Sequence, residues 1–379
     1  MSKRRGHGEG SIFQRASDGR WVATISWTDP AGKVHRPRRY CKTRKEARDA
    51  LKGLLQQAEQ GIQLAQAPTT LGAYLARWLE ASARPSLKPK TYQGYESIVR
   101  VRIVPRIGAL KLAQVTPPVV QQLYVDLASE GLSPRSAINT HRCLHRALEQ
   151  ALKWGLIARN PCDAVDAPRA ARTEMRVLDR SQVDILVSST TGDREHALYV
   201  LAVTTGLRQG ELLGLRWSDI DFDVPRLSVQ RALQPQRGKG LVFVETKTSR
   251  SRREITLSQH AVRALKRHRT RQLEERLLAG SAWTDAGVVF ATVYGLPTEP
   301  TGATKRFKAA LLRAGLPLIR FHDLRHTAAT LLFSQGMHAK IVGDMLGHST
   351  ITLTLDTYSH VIPSMHATAA NTMDALLSS

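Results

Sequence analysis

The sequence predicts an α+β protein of several domains: a small N-terminal three-stranded β-sheet with one helix, a helical middle domain, and a larger, mainly α-helical C-terminal domain with a small antiparallel sheet. Three observations predict this class. A length of 379 residues exceeds what one small core holds. Short alternating runs broken by turn residues fill residues 11–41, and helical spacing of apolar residues dominates from residue 70 onward. We place the domains at residues 1–64, 65–168 and 169–379.

The N-terminal domain is predicted from three runs, "SIFQR", "RWVATISW" and "KVHRPRRYC", which Asp-Gly and Asp-Pro turn signals separate. A helix from about Arg44 to Gln60 follows, with Thr43 as its N-cap. Such a sheet suits a small DNA reader that lays strands in a groove, and a solvated basic sheet is the alternative. The candidate DNA-binding residues here are Arg36, Arg38, Arg39 and Lys42.

The middle domain is predicted to hold four helices between residue 70 and about residue 154, with Pro and Gly between them. The last of them places apolar residues on one stripe and polar residues on a second stripe, at i, i+4, i+7 and i+11. The second stripe can follow a groove or its phosphates, or it is merely solvated. Its members are Arg135, Asn139, Arg142 and Arg146. We interpret residues 61–69 and 159–174 as linkers.

Charge and cysteine usage narrow the function classes. Fifty-five Lys and Arg against 32 Asp and Glu leave a net charge of +23, which favours a nucleic-acid partner. The sequence contains neither an apolar run of roughly 18 residues nor a basic amphipathic helix with bulky apolar anchors. It therefore does not indicate a membrane role. The three cysteines lie far apart, outside metal-ligand spacing, and are typical of reduced cytosolic thiols: Cys41, Cys143 and Cys162.

The segment "TGLRQGELLGLRWSDIDF" places Arg208 between Gly206 and Gly210, where a sharp turn can aim a guanidinium at a phosphate. The alternative is a structural ion pair with Glu211. Three acids follow, and they do not fit a calcium loop because the required glycine and the bidentate acid are missing. We interpret them as a turn that starts a strand, and we predict no metal site: Asp219, Asp221 and Asp223.

Three further stretches carry groups that can take part in chemistry. "VFVETKTSRSRREITL" alternates on both sides of a turn, which predicts a β-hairpin with Lys247 near its tip. In "FHDLRHTAATLL", His322 and Arg325 are three apart at a helix start and can face one way, although capping or core packing explains such a histidine as well. "LGHSTITLTLDTYSHV" contains Tyr358, and its period-two pattern alone indicates a strand.

In this order, "TGLRQGEL", a hairpin lysine, "HDLRHTAAT", "LGHS" and "DTYSHV" resemble the tyrosine recombinases, specifically the integrases of phages and integrative elements. The resemblance is close in the C-terminal domain and looser in the helical domain, which is similar to the family's core-site-binding domain. The N-terminal sheet resembles the arm-binding domain of some phage integrases. The resemblance also implies that Tyr358 lies on or next to a short helix, which we prefer to the strand.

The resemblance implies a role for six residues. Arg208 and Arg325 would clamp the phosphate, Lys247 would be the general acid, and His322 would handle protons. His348 would be the last phosphate contact, and Tyr358 the nucleophile, which follows that histidine by ten residues where many relatives have nine. Lys239 competes with Lys247 for the acid role. Glu211 would support Arg208.

The activity implied is site-specific cutting and rejoining of DNA through a 3′-phosphotyrosyl bond, without ATP, metal or other cofactor. The partners implied are double-stranded attachment sites of core and arm type and three further copies in a tetramer, with an excisionase or host DNA-bending protein as a possible addition. The expected location is the cytoplasm, on the nucleoid of a bacterial host. Two alternatives are a type IB topoisomerase and a non-catalytic DNA-binding regulator. A helical tail after Pro363 would dock on a neighbour or on its own domain.

Overall fold

The computed structural model describes residues 10–28, 34–59, 69–171, 175–245, 252–347, 350–358, 373–374 and 377. These residues belong to two compact units, Met1–Arg172 and Thr173–Ser379. The first unit holds the predicted sheet and the predicted helical domain, and the second holds the mainly helical C-terminal domain. The predicted boundary between the sheet and the helical domain falls among residues 60–68, outside the described residues, so it stays a prediction.

The N-terminal sheet has the three strands that the sequence predicts, in the order β1–β2–β5 with antiparallel pairing, and two further strands of two residues each, β3 and β4, pair with each other in a separate sheet. The strands are β1 (Ser11–Gln14), β2 (Trp21–Thr24), β3 (Trp27–Thr28), β4 (Val34–His35) and β5 (Arg38–Cys41). Helix α1 (Arg44–Glu59) follows, and the Thr43 hydroxyl accepts a hydrogen bond from Glu46 N at 3.2 Å, as predicted for its N-cap.

One face of this sheet is covered by α1 and the other is open. Ala23 and Ile25 are buried against Ala47 and Leu54 of the helix. Because paired residues on neighbouring strands share a face, the register separates the rest. Ile12, Ala23 and Arg39 form one row on the helix side, whereas Phe13, Val22 and Tyr40 form a row on the open side.

The helical part of the first unit confirms the four predicted helices, two of which continue through a π-helical turn into a further short helix. Their α-helical segments are α2 (Leu71–Trp78), α3 (Arg84–Ser86), α4 (Pro89–Ile98), α5 (Val104–Ile107), α6 (Pro117–Ser129) and α7 (Pro134–Lys153). Pro134 begins α7, and the Ser133 hydroxyl caps it by accepting from Ser136 N at 3.3 Å. The predicted inward stripe of α7 is buried at Ala137, Leu144, Leu148 and Ala151.

The second predicted linker is partly wrong. Residues 160–164 pack onto the helical core, because Pro161–Ala164 form a 3₁₀ turn with Cys162 buried. Asn160 caps that turn and donates from Nδ2 to the carbonyl of His145 at 3.1 Å, and Asp163 lies 2.7 Å from His145 Nε2. The Pro-rich composition that suggested a linker here forms a fixed turn instead.

The second unit begins with α8 (Arg180–Ser189), α9 (His196–Thr205) and α10 (Gln209–Leu213). Within the part of the unit that the structure describes, five strands follow: β6 (Ile220–Asp221), β7 (Arg226–Val229), β8 (Arg231–Gln236), β9 (Gly240–Glu245) and β10 (Arg253–Thr256). The remaining helices are α11 (Gln259–Ala279), α12 (Pro300–Arg313), α13 (Asp323–Ser334), α14 (Ala339–Leu346) and α15 (Ile351–Tyr358). A core built largely on α9, which is buried along most of its length, joins the helices to the strands.

The prediction of a β-hairpin around Lys247 is wrong, because the two strands that flank this residue do not pair with each other. β9 pairs with β8, while β10 pairs with β7 in a three-stranded sheet ordered β10–β7–β6. The tight turn lies instead between β8 and β9, where Gly238 and Gly240 have φ of +76° and +69°, and exposed Lys239 lies in it. Lys247 falls among residues 246–251, outside the described residues.

The tract before Tyr358 is helical rather than extended, as the family resemblance implies. Thr354 and Tyr358, four residues apart, are both buried, whereas Ile351 and Leu355 are exposed. Packing against α14 therefore stabilises a helix here, although the period-two sequence pattern favours a strand. The predicted tail helix and the linker at residues 61–69 fall almost wholly outside the described residues. None of the helices in the described ranges has the length and apolar character that a bilayer crossing requires.

Candidate active site

Arg325 is the most deeply buried cation of the site, with 3% of its surface exposed. Its Nη1 donates to the carbonyls of Gly206 at 2.9 Å and Leu346 at 2.8 Å, so residues from the ends of α9 and α14 fix the guanidinium. Its Nη2 is buried and has no hydrogen-bond partner among the described residues. Burial and the nearby Arg208 lower the pKa of Arg325 to about 9, so the group is still charged at pH 7.

Arg208 and Arg253 share a buried carboxylate. Glu211, 4% exposed, accepts from Arg208 Nη1 at 2.8 Å and from Arg253 Nη2 at 3.0 Å. Burial on its own would raise the pKa of Glu211, but the Arg253 and Arg208 guanidiniums hold it below its ordinary value. The predicted ion pair of Arg208 with Glu211 is therefore present, and it leaves the Arg208 side chain 41% exposed. The structural and the phosphate-binding interpretations of Arg208 are compatible.

Arg253 is a residue that the sequence analysis missed. It begins β10, is almost fully buried, and donates from Nε to the carbonyl of Met345 at 2.7 Å. It thereby links Glu211 to the end of α14. The sequence offers no signal for it, because it lies within a run of arginines, "RSRR", in which the buried member cannot be recognised.

Gly206 allows α9 to end against α14. Its φ of +60° lies in the left-handed region, and a Cβ there would lie 2.5 Å from Cδ2 of the buried Leu346. Because its carbonyl also holds Arg325, this glycine fixes both the packing and the cation.

We expect Gly206→Ala to lower the free energy of unfolding by at least about 2 kcal/mol, since left-handed strain and overpacking add. Gly315 is the matched control: its φ is +65°, and a Cβ there would have no neighbour within 4 Å. Gly315→Ala should therefore cost only about 1 kcal/mol, from strain alone. Urea unfolding of both variants measures the difference, and equal losses would contradict the packing role of Gly206.

Tyr358 ends α15 with its side chain buried, 1% exposed, against Phe333, Val342 and Leu346. Its hydroxyl lies 2.9 Å from Nδ1 of His326. Burial raises the pKa of Tyr358 to about 12, although the charge of Arg325 works in the opposite direction, so the phenol carries its proton at neutral pH. The nucleophile predicted from sequence is thus held by a histidine that the sequence analysis did not single out.

His322, the histidine proposed from sequence, lies at the N-terminus of α13 and is exposed. Its ring centroid is 5.2 Å from that of His326, one helical turn away, and the surrounding protein together with Arg325 lowers its pKa. A spacing of four in "HDLRH" places both rings on one face, and this spacing could have indicated His326 as well. His348 lies outside the described residues.

The structure therefore brings together Arg208, Arg325, His322 and Tyr358. Arg325 lies close enough to lower the pKa of both His322 and Tyr358, and Arg208 lies close enough to lower the pKa of His322 and of Arg325. Asp221 accepts from the backbone N–H groups of Asp223 and Val224 in a turn before β7, as predicted, whereas the ion pair of Asp219 with Arg231 at 2.5 Å was not predicted. Among the described residues, no group of three or more His, Cys, Asp or Glu could hold a metal ion. The arrangement is suited to stabilising an anion beside a phenol.

Comparison with known proteins decides the family. Residues 176–365 match the phage integrase family, and residues 70–128 match the N-terminal SAM-like domain of phage integrases. The chain belongs to the phage integrase family. The resemblance drawn from its motifs is thereby confirmed, and with it the prediction of a site-specific DNA recombinase of the tyrosine class.

Relatives in this family match over most of their length. The chain is 34% identical to the XerC-like tyrosine recombinase of Caldanaerobacter subterraneus subsp. tengcongensis, over 92% of this chain and 94% of that protein. The Tn1549 transposon integrase, solved with a circular intermediate DNA, is 25% identical over 76% of this chain and 95% of its own, with a TM-score of 0.67. Lambda integrase, solved as a tetramer on a Holliday junction, shares the fold over 94% of this chain and 96% of its own, with 20% identity and a TM-score of 0.58.

Proposed function

We propose that the chain cuts and rejoins DNA at attachment sites through a 3′-phosphotyrosyl bond to Tyr358, and so integrates or excises a phage or mobile element. The buried guanidinium of Arg325 carries this proposal. A charged group that deep, with Nη2 unpartnered among the described residues, is costly unless an anion completes it. A DNA phosphate is the anion that a phenol in the same site would attack.

The chemistry follows from the charges. A phosphodiester gains negative charge on its non-bridging oxygens as the nucleophile attacks, and Arg325 and Arg208 are fixed beforehand to stabilise that charge. The Tyr358 oxygen forms a bond to phosphorus while the bond to the 5′ oxygen breaks. That oxygen leaves with a proton, for which we assign Lys247 as donor, and His348 is assigned to the same phosphate. The ester conserves the bond energy, so rejoining needs no further energy source.

The test uses nicked duplexes that carry the joined ends of the mobile element, incubated with the protein in EDTA. Loss of the short fragment beyond the nick traps the covalent adduct. Peptide mass mapping should place the link on Tyr358. A link at another residue, or cleavage that requires magnesium, would overturn the proposal.

The recombination assembly is proposed to be a homotetramer on two duplexes, with an excisionase or a DNA-bending protein as a further partner, acting in the bacterial cytoplasm on nucleoid DNA. A tetrameric synapse on attachment-site DNA distinguishes recombination from topoisomerase-like relaxation. The exposed residues of α7 are proposed to contact the core site: Arg135, Asn139, Arg142 and Arg146. Of these, Arg146 also lies over the ring of Tyr95, 5.9 Å from its centroid.

The open face of the N-terminal sheet is proposed to read arm-type DNA. Phe13 and Tyr40 are exposed there on both sides of buried Val22, and the guanidinium of Arg15 lies 5.7 Å from the Tyr40 ring centroid. Arg38 pairs with Thr24 in the next row, which lies on the open face of the sheet, opposite the face of Ile12 and Ala23. The sheet thus presents an aromatic row with basic neighbours, which suits a DNA groove. Arg36 and Lys42 are exposed near the ends of β5.

We expect Arg38→Ala to weaken binding to an arm-site duplex by about tenfold or more, because Arg38 lies beside the aromatic row. Arg39, which the sequence analysis also named as a DNA-binding candidate, shares its row with Ala23 on the helix side, so we do not propose it as a contact of the open face. Arg39→Ala is therefore the matched control and should change binding by less than about threefold. Fluorescence anisotropy at fixed salt measures both. The assignment of the reading face fails if Arg39→Ala is the more damaging change.

A further inference from the structure

Two histidines of α13 lie near the nucleophile, and they differ in what they contact. His326 Nδ1 is 2.9 Å from the Tyr358 hydroxyl, with the ring centroids 5.8 Å apart. His322 contacts the ring of His326 and is exposed toward solvent. Within the described part of the chain, His326 and not His322 is the hydrogen-bonding partner of the phenol. The histidine that the sequence suggested for proton handling, His322, lies one helical turn away from His326, and among the described residues no hydrogen bond joins it to the phenol.

Burial and nearby charges hold His326 in its neutral form. Burial, followed by the neighbouring His322, lowers the pKa of His326 to about 4; Arg325 and Arg320 act in the same direction, and Asp323 opposes them. Tyr358, with a pKa raised to about 12, keeps its proton. At neutral pH the pair thus consists of a protonated phenol and an unprotonated imidazole. The imidazole can accept that hydrogen bond at Nδ1 when its own proton is on Nε2.

We propose that His326 is the residue that accepts the phenolic proton of Tyr358 when the DNA strand is cleaved and returns it when the strand is rejoined. This inference rests on the proposed function. In cleavage, an electron pair of the Tyr358 oxygen forms the bond to phosphorus, and the bond from phosphorus to the 5′ oxygen breaks. The phenolic proton moves to His326 Nδ1, and the 5′ oxygen receives its proton from the general acid. Rejoining reverses each transfer.

The separation between the two pKa values does not prevent this transfer. As the bond from oxygen to phosphorus forms, the phenolic oxygen loses electron density and its proton becomes acidic. The bound phosphate also brings a negative charge beside α13, which favours the protonated imidazole. His326 is therefore too weak a base to take the proton of the resting phenol, but it can take that proton while the phenolic oxygen is bonding to phosphorus. The resting enzyme keeps its nucleophile protonated, and proton transfer accompanies attack.

The first test compares two nicked duplexes that carry the joined element ends. One has the ordinary 5′ oxygen at the cleavage point, and the other has a bridging sulfur, which leaves without needing a proton. His326→Asn is the informative variant, because an Asn side chain places an amide group near the position of Nδ1 and cannot act as a base. Lys247→Ala is the reference for a defect on the leaving-group side. Thermal unfolding confirms that each variant is folded.

We expect His326→Asn to slow single-turnover cleavage of both duplexes by about 100-fold or more. The sulfur substitution should restore Lys247→Ala and should leave His326→Asn slow. Rescue of His326→Asn by sulfur would place His326 on the leaving group and overturn the inference, and so would cleavage at the wild-type rate. Failure of the proposed function is distinguishable, since the wild-type chain would then form no adduct with either duplex.

A second measurement needs no DNA. In the full chain with ¹⁵N-labelled histidine, His326 Nδ1 should have the chemical shift of an unprotonated nitrogen that accepts a hydrogen bond at pH 7. Tyr358→Phe should shift that resonance and leave His268, whose Nε2 lies 2.8 Å from the Val289 carbonyl, unchanged. A proton on His326 Nδ1 would overturn the inference, because that nitrogen could not then accept the phenolic proton.

Discussion

Tyr358→Phe should abolish covalent attachment to DNA, with a loss of more than roughly 10⁴-fold in cleavage, and leave DNA binding almost unchanged. The substitution removes the atom that we propose attacks phosphorus. Affinity is dominated by other contacts to the phosphate backbone, so it should persist. The measurement is a denaturing gel for the adduct beside a mobility-shift titration of the same duplex.

The fold should tolerate this change, because phenylalanine fills the same buried volume beside Phe333 and Val342. Tyr294→Phe is a matched control, since that tyrosine is exposed; it should cleave at the wild-type rate. An adduct that survives in Tyr358→Phe would remove Tyr358 from the nucleophile role. A variant that loses binding together with cleavage would instead indicate that the hydroxyl supports the fold.

Arg325→Lys should slow cleavage by about 100- to 1,000-fold while the protein still binds DNA. Nη1 donates to two carbonyls and Nη2 has no partner among the described residues, so Nη2 is available for the phosphate that we propose binds here; a lysine ammonium cannot form this fork. Single-turnover cleavage on the nicked duplex measures the loss.

Arg313→Lys is the control for this prediction, because Arg313 is exposed and pairs with Asp193 at the surface. It should stay within about twofold of the wild type, as exposed ion pairs contribute little. A folded Arg325→Lys protein that cleaves within about tenfold of the wild-type rate would show that the buried cation is not needed for the chemistry.

Much of the fold follows from local patterns. The strands at residues 11–41, helix α1 and the helices up to α7 follow the spacing of apolar residues and the turn and cap residues, all of which act over a few positions. Arg208, Arg325 and Tyr358 were proposed instead from the family that the order of motifs resembles, and the structure places them close to one another. In the second unit the core gathers around α9, whose apolar residues extend around the whole helix, as is typical of a buried one.

The failures concern contacts between distant residues. β9 pairs with β8, and β10 pairs with β7. The alternating pattern on both sides of residues 246–251 therefore wrongly predicted that β9 and β10 pair with each other. His326 contacts Tyr358, which lies 32 residues further along the chain. Arg253 is buried because Glu211 lies opposite it, 42 residues away. No periodicity in the sequence records such pairings.

The guanidinium of Arg325, which we propose binds the phosphate, is oriented by carbonyls 119 residues upstream and 21 residues downstream of it. No fragment shorter than that span can therefore assemble the cleaving geometry. A chain still leaving the ribosome, or one degraded from its C-terminal side, would retain its positive charge. It could not hold Arg325 in place beside Tyr358. We therefore expect incomplete copies of the chain to bind DNA without cutting it.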